Sequence, residues 1–334
     1  MKKRVTALFM AAMVGAFCLA GCGNSEAAQQ ETTAKSQTAD TKNAETMEST
    51  ETAATEAVET VESTEAPQAD GKQAILVVSF GTSYNDSRDI TIGAIENAIA
   101  AAFPEYEVRR AFTSQIIIDI LNERDGLAID NVEQALERAV ADGVETLIVQ
   151  PTHLMNGYEY TDLAELLQGY EDKFAKLALA EPLLTSDADF DGVVKALTDK
   201  MAAYDDGETA ICFMGHGTEA ESNEVYAKLQ DKLTEAGYAN YYVGTVEANP
   251  SLEDVMAALA ANGGYKKVVL EPLMVVAGDH ANNDMAGDEE DSWKTTLMGA
   301  GYEVECVLEG LGQIPAVQEL YVAHTQAAID GIAE

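Results

Sequence analysis

The chain repeats itself, and that repeat constrains its fold more than any other feature. Ala74 to Ser79, followed by Phe80-Gly81-Thr82, matches Ala210 to Gly215, followed by His216-Gly217-Thr218. Tyr106-Glu107-Val108 leading to Phe112-Thr113-Ser114 matches Tyr241-Tyr242-Val243 leading to Glu247-Ala248-Asn249. Thr146 to Gln150, with Pro151 and Gly157, matches Val268 to Glu271, with Pro272 and Gly278, and Leu177 to Leu184 matches Tyr302 to Leu308. These short apolar runs read as strands. Helical patterns lie between them, at Ile90 to Ala102, Val132 to Asp142, Ser251 to Asn262 and Asp291 to Ala300. Such alternation implies right-handed βαβ units and parallel sheets covered on both faces. The predicted fold class is α/β, with two similar lobes, each a four-stranded parallel sheet flanked by helices. The lobes are expected at 71–205 and 206–334, because Ala203-Tyr204-Asp205-Asp206-Gly207 breaks the pattern. A cleft should lie between them.

In open parallel sheets ligands bind outside the carboxyl ends of the strands. Ile211 to Met214 runs into Gly215-His216-Gly217-Thr218, Tyr241 to Val246 runs into Glu247, and Val268 to Val276 runs into Ala277-Gly278-Asp279-His280. Two imidazoles and a carboxylate on one rim suit a divalent transition metal. His216 is the candidate for combined ligand and proton acceptor, its flanking glycines allowing a bulky ring close to the backbone. In the repeat, His216, Glu247 and His280 answer to Phe80, Phe112 and Glu159. That asymmetry fits a flat apolar ligand held against Phe80 and Phe112, with a metal delivered from the opposite lobe. Two ordinary core aromatics fit it equally well. His153, just past the third strand of the first lobe, either faces the cleft or is structural. His324 falls in a C-terminal helical pattern, away from the chemistry.

The amino-terminal segment follows a different logic. Lys2, Lys3 and Arg4 precede an apolar run from Val5 to Phe17, closed by Leu19-Ala20-Gly21-Cys22. This reads as a secretory signal peptide over residues 1–21. A Cys directly after Leu-Ala-Gly looks like a bacterial lipobox, which implies cleavage before Cys22 and acylation of its thiol. The protein is then expected outside the cytoplasm, held at the membrane by a lipid anchor. Residues 22–70 contain no aromatic residue, eleven acidic residues and two lysines, the composition of a disordered acidic tether. The net charge of −38 includes +3 from the first basic cluster and −9 from the tether, which leaves −32 on the folded part. A field of that sign disfavours nucleic acid as a partner and concentrates cations. Cys212 and Cys306 sit in strand-like runs, so no disulfide framework is expected.

Ser79-Phe80-Gly81-Thr82-Ser83, Arg110-Ala111-Phe112-Thr113-Ser114, Phe213-Met214-Gly215-His216-Gly217 and the stretch from Pro272 to Ala286 resemble the anaerobic sirohydrochlorin cobaltochelatases of the CbiK type. Asp291-Ser292-Trp293-Lys294, Gly310-Leu311-Gly312 and Val322-Ala323-His324 continue the likeness, which covers nearly all of 71–334. The resemblance implies the two-lobed fold of the class II chelatases, with His216, Glu247 and His280 as metal ligands. It implies insertion of Co²⁺ into metal-free sirohydrochlorin, a step of cobalamin biosynthesis. The metal is then a substrate, and no organic cofactor is needed. The donor set also suits Fe²⁺, Ni²⁺ or Zn²⁺.

The expected partners are a tetrapyrrole, a divalent metal and, through the lipid, a membrane, with a homo-oligomer left open. Sirohydrochlorin is rich in carboxylates, so local cations are needed. Arg88, Arg109, Arg110 and Lys294 are the candidates, with Arg110 best placed at a strand end. Asp284, Asp288, Glu289, Glu290 and Asp291 form an acidic loop that either feeds metal or is simply solvated. Members of this type need no export signal, and this chain carries one. A second reading therefore stays open, an extracytoplasmic tetrapyrrole- or metal-binding lipoprotein serving uptake.

Overall fold

The computed structural model describes residues 71–333. The segments expected to be a signal peptide (1–21) and a tether (22–70), with Cys22, lie outside the described residues. Strands β1 (Gln73–Ser79), β2 (Glu107–Phe112), β3 (Thr146–Pro151) and β4 (Lys176–Leu179) form one sheet in the order β2-β1-β3-β4. Strands β5 (Thr209–Gly215), β6 (Tyr241–Thr245), β7 (Lys267–Pro272) and β8 (Glu303–Cys306) form a second, in the matching order β6-β5-β7-β8. Every pairing is parallel. The helices are α1 (Asn85–Ile90), α2 (Ile92–Ala102), α3 (Gln115–Asp125), α4 (Val132–Ala141) and α5 (Tyr158–Gln168), then α6 (Asp187–Met201), α7 (Glu224–Glu235), α8 (Leu252–Asn262), α9 (Trp293–Gly299) and α10 (Pro315–Ala333).

Both faces of each sheet are buried, and the side-chain alternation of the strands decides which face holds what. In β1, Ala74, Leu76 and Val78 pack outward with Leu136 of α4 and Leu163 of α5, while Ile75 and Val77 point the other way. In β5, Ala210, Cys212 and Met214 pack with Val255 of α8 and Leu297 of α9, while Ile211 and Phe213 point inward. The inward sets of both sheets meet one continuous core with Phe190 and Val193 of α6 and Leu229 of α7. Central strands covered on both faces read as near-continuous apolar runs, which is what made them visible in the sequence. Local signals agree: Ser251 and Asp254 form a reciprocal capping box that starts α8.

Two features depart from expectation. The apolar run from Val268 to Val276 is not one strand, since β7 ends at Pro272 and β3 likewise ends at Pro151. Proline has no N–H to carry the ladder onward, and the freed residues Leu273 to Val276 turn along the cleft. The C-terminal helix does not stay with the second sheet. In α10, the Tyr321 hydroxyl donates to the Thr152 carbonyl at 3.0 Å and the Thr325 hydroxyl donates to Gln150 Oε1 at 2.8 Å, both at the end of β3. His324 completes the clamp on Asp189 of α6 at 2.9 Å.

Candidate metal centre and cleft

The strand order reverses between β1 and β3 and again between β5 and β7, so the loops leaving those strands diverge and open a crevice. The two crevices face each other as one cleft of about 570 Å³. Its first wall carries Phe80, Thr82, His153, Met155, Tyr158 and Glu159, and its second carries His216, Thr218 and His280.

His216, Glu247 and His280 come together, with one donor atom from each lying within 4.8 Å of the others. The local backbone explains why. Beyond the end of the β5–β6 ladder, Val246 N–H donates to Gly215 O at 3.0 Å and Glu247 N–H donates to His216 O at 2.9 Å, so the first two ligands travel as a pair. Gly215 and Gly217 are needed here, but not to admit a ligand. A Cβ on Gly215 would meet the Tyr226 ring at 2.2 Å, and one on Gly217, at φ +87°, would meet Ala248 at 2.8 Å. Both glycines let the loop fold against the protein itself. His280 starts a π-helical turn, Ala281–Met285, a distortion frequent at functional sites. That turn sets His280 Nδ1 2.6 Å from the Asp284 carboxylate.

The hydrogen bonds also select which nitrogens are free. His216 Nδ1 lies 2.7 Å from the Gly217 carbonyl, an acceptor only, so Nδ1 carries the proton and Nε2 the lone pair. The carboxylate of Asp284 fixes His280 the same way, and the rings meet edge to face with centroids 4.6 Å apart. Outer carboxylates and carbonyls of this kind orient metal-binding imidazoles. A tetrahedral ion about 2.1 Å from each donor needs them roughly 3.4 Å apart, so a small inward movement closes the group. Three protein ligands leave a position open for exchange. Glu247 does not line the cleft but completes the set from beside it.

The first lobe answers differently from the sequence expectation. Phe80 is 50 % exposed in the cleft, whereas Phe112 is 0 % exposed and belongs to the core with Ile92, Ile118 and Leu121. The reason is Gly81, at φ +99°, where a Cβ would meet the Phe112 ring at 2.6 Å; the loop backbone lies on the ring and seals it from the cleft. Arg110 is likewise removed from any ligand. Its guanidinium makes a two-pronged pair with Glu96 of α2, at 2.6 and 2.5 Å. Arg109 binds Glu107 and Asp142, Arg88 is buried beside Asn85 and Asp89, and Lys294 binds Asp288. Among the described residues, no lysine or arginine lines the cleft. Arg124, which sequence reasoning missed, lines an adjoining hollow with Ser83, Tyr84 and Asp279.

Glu159 lies on the first wall at the start of α5. Burial pushes its carboxyl above the usual carboxylate range; His216 opposes the rise and Asp162 adds to it. Next to it His153 is buried, its imidazole pushed down to about 4 by that burial.

The model of the cobalt chelatase (CbiK) family matches residues 73–330. A sirohydrochlorin cobaltochelatase from Salmonella typhimurium is 40 % identical over 259 residues, covering 78 % of this chain and 97 % of that protein. The chain belongs to the cobalt chelatase family. It is an enzyme of that class. A second relative, the sirohydrochlorin cobaltochelatase CbiKC of Nitratidesulfovibrio vulgaris, is 30 % identical over 268 residues, covering 78 % of this chain and 92 % of that protein. The chelatase fold extends to more distant structures. SirB from Bacillus subtilis with Fe³⁺ aligns with TM-score 0.57 at 15 % identity, over 79 % of this chain and 98 % of the other. The sirohydrochlorin chelatase SirB of subspecies spizizenii in complex with cobalt aligns with TM-score 0.55 at 14 % identity, over 78 % of this chain and 96 % of the other.

Proposed function

We propose that this cobalt chelatase inserts Co²⁺ into sirohydrochlorin, with His216, Glu247 and His280 holding the metal before transfer. The observation that carries the reading is the convergence of those three donors within 4.8 Å beside a cleft of macrocycle size. The curated relatives named for the same reaction support it. The overall exchange is one Co²⁺ in and two pyrrole protons out. His216 Nε2 holds the metal, so it has no lone pair for a proton until the metal leaves. Transfer then frees that nitrogen to take one proton, which keeps the charge on the second wall in step with the chemistry. Glu159, across the cleft, takes the other. Partial desolvation in the cleft raises its affinity for a proton, which makes it a better base than a fully solvated carboxylate.

The cleft binds the ring more than its edge. Phe80, Tyr158, Leu273 and Val275 offer apolar surface to the macrocycle, and the peripheral carboxylates project toward solvent and the Arg124 hollow. The protein acts outside the cytoplasm, anchored through Cys22, a placement supported by the basic, apolar and Leu-Ala-Gly-Cys pattern of residues 2–22. That same pattern favours the second reading, a carrier of tetrapyrrole or metal for uptake. One assay separates them: purified protein is mixed with metal-free sirohydrochlorin and Co²⁺, Fe²⁺ or Ni²⁺, and absorbance is followed. Insertion predicts Co-sirohydrochlorin forming well above the uncatalysed rate. Binding of the tetrapyrrole with incorporation at the background rate would replace the enzyme reading with the carrier.

A further inference from the structure

We propose that His153 is the positioning residue for Glu159, its Nε2–H donating to the carboxylate and aiming it across the cleft at the tetrapyrrole. This rests on the insertion reading above. His153 Nε2 lies 3.4 Å from Glu159 Oε2, with the imidazole only 8 % exposed and the carboxylate 47 % exposed. Neither ring nitrogen has a hydrogen-bond partner, and the 3.4 Å contact with Glu159 is a near approach, not yet a bond. A buried polar group without a partner is costly, and native structures seldom keep one. Glu159 Oε2 is an acceptor within reach of Nε2. Catalytic hydrogen bonds are often long or poorly aligned outside the substrate complex and tighten once substrate excludes water.

The surroundings hold the imidazole still. The His153 carbonyl accepts from Leu183 N–H at 3.0 Å, and the Tyr321 hydroxyl of α10 ties down the preceding carbonyl. The ring is neutral at physiological pH because burial lowers its affinity for a proton, so it owns one N–H and one lone pair. An ionised carboxylate accepts only. The proton must therefore sit on Nε2 when Glu159 is charged. Burial raises the Glu159 carboxyl, with His216 and Asp162 acting on it in opposite senses. Donation from His153 would favour the ionised form against that burial. The arrangement is the mirror of the metal lobe: there the Asp284 carboxylate holds the His280 imidazole, and here an imidazole holds the catalytic carboxylate.

The test uses the parent, His153→Leu and His153→Gln. Leucine removes the donor, and glutamine places an amide N–H near the position of Nε2. The leucine variant should lose about tenfold or more in kcat, toward the range a positioned base contributes, with Co²⁺ affinity unchanged. The glutamine variant should recover most of it. Equal kcat in leucine variant and parent, or leucine and glutamine variants equally impaired, would overturn the proposal. Nitrogen NMR of the parent reads the tautomer independently. His153 should carry its proton on Nε2, with a resonance that shifts in Glu159→Gln; a proton on Nδ1 would overturn the pairing. A parent that inserts no metal sinks the insertion reading, while the spectrum still decides whether His153 holds Glu159.

Discussion

The two halves share strand order and all-parallel pairing, yet they present opposite chemistry to one cleft. At the strand ends, Phe112 pairs with Ser79, whereas Thr245, two residues before Glu247, pairs with Gly215. Past β5 and β7 the second half places two half-exposed imidazoles whose Nδ1 atoms are tied to Gly217 and Asp284. Past β3 the first half places a buried imidazole whose nitrogens have no hydrogen-bond partner and whose Nε2 lies 3.4 Å from Glu159. The difference is one of solvent and hydrogen bonding more than of residue type. An imidazole oriented by an acceptor on Nδ1 and open at Nε2 suits a metal, while a buried neutral imidazole suits the support of a base. On the proposed reading, a duplicated scaffold keeps metal delivery on one wall and shares proton removal between both.

The largest effect should come from breaking the metal wall. His216→Ala, Glu247→Ala or His280→Ala should each weaken Co²⁺ binding beyond the ~100-fold that loss of a supporting contact costs. Thermal stability should hardly move, because these side chains are outside the core. Calorimetric titration of the three variants checks this, and parent-like affinity in all three would erase the distinction between the halves.

The aromatic pair sharpens the comparison within the first half. Phe112→Ala should cost about 3–5 kcal/mol of stability, as for other large buried aromatics, with no change in Co²⁺ affinity. Phe80→Ala should leave stability nearly unchanged and weaken tetrapyrrole binding. Denaturant melts and absorbance titrations on both variants separate these outcomes.

The sequence made the strands and the convergence of His216, Glu247 and His280 legible because each is a local signal. Apolar runs, turn residues and one exposed polar group past each strand need no knowledge of the partner lobe. Phe112 and Arg110 were misread for the opposite reason. Whether a strand-end residue faces a cleft depends on what another segment lays over it, and Gly81 and Glu96 lie 31 and 14 positions away. The Arg124 hollow was missed on the same grounds. One missed contact did have a signal: His280 and Asp284 are four apart, the spacing that brings side chains together on a helical turn.

Asp284→Asn should lower Co²⁺ affinity about 10–100-fold by releasing His280, less than loss of a ligand itself. Titration of that variant beside His280→Ala checks the ranking. A smaller, pH-dependent effect compares Gln150-Pro151 of β3 with Glu271-Pro272 of β7. Gln150 is fully bonded to Thr325 and the chain, whereas Glu271 is buried against Lys200 with Oε2 unpartnered. Burial raises the Glu271 pKa to about 7. The folded state then binds a proton more tightly than the unfolded one, so stability is lost as pH rises from about 4.5 to about 7. Glu271→Gln should flatten that slope, and melts across this range read it.

X-ray absorption at the cobalt edge on a one-to-one Co²⁺ complex tests most directly whether the second half holds the metal. Two imidazole nitrogens and a carboxylate oxygen at about 2.0–2.2 Å, with the imidazole signal reduced in His216→Ala, is the predicted result. A shell of oxygens with no imidazole scattering, as expected if the −32 charge merely gathers cations on the surface, would contradict it.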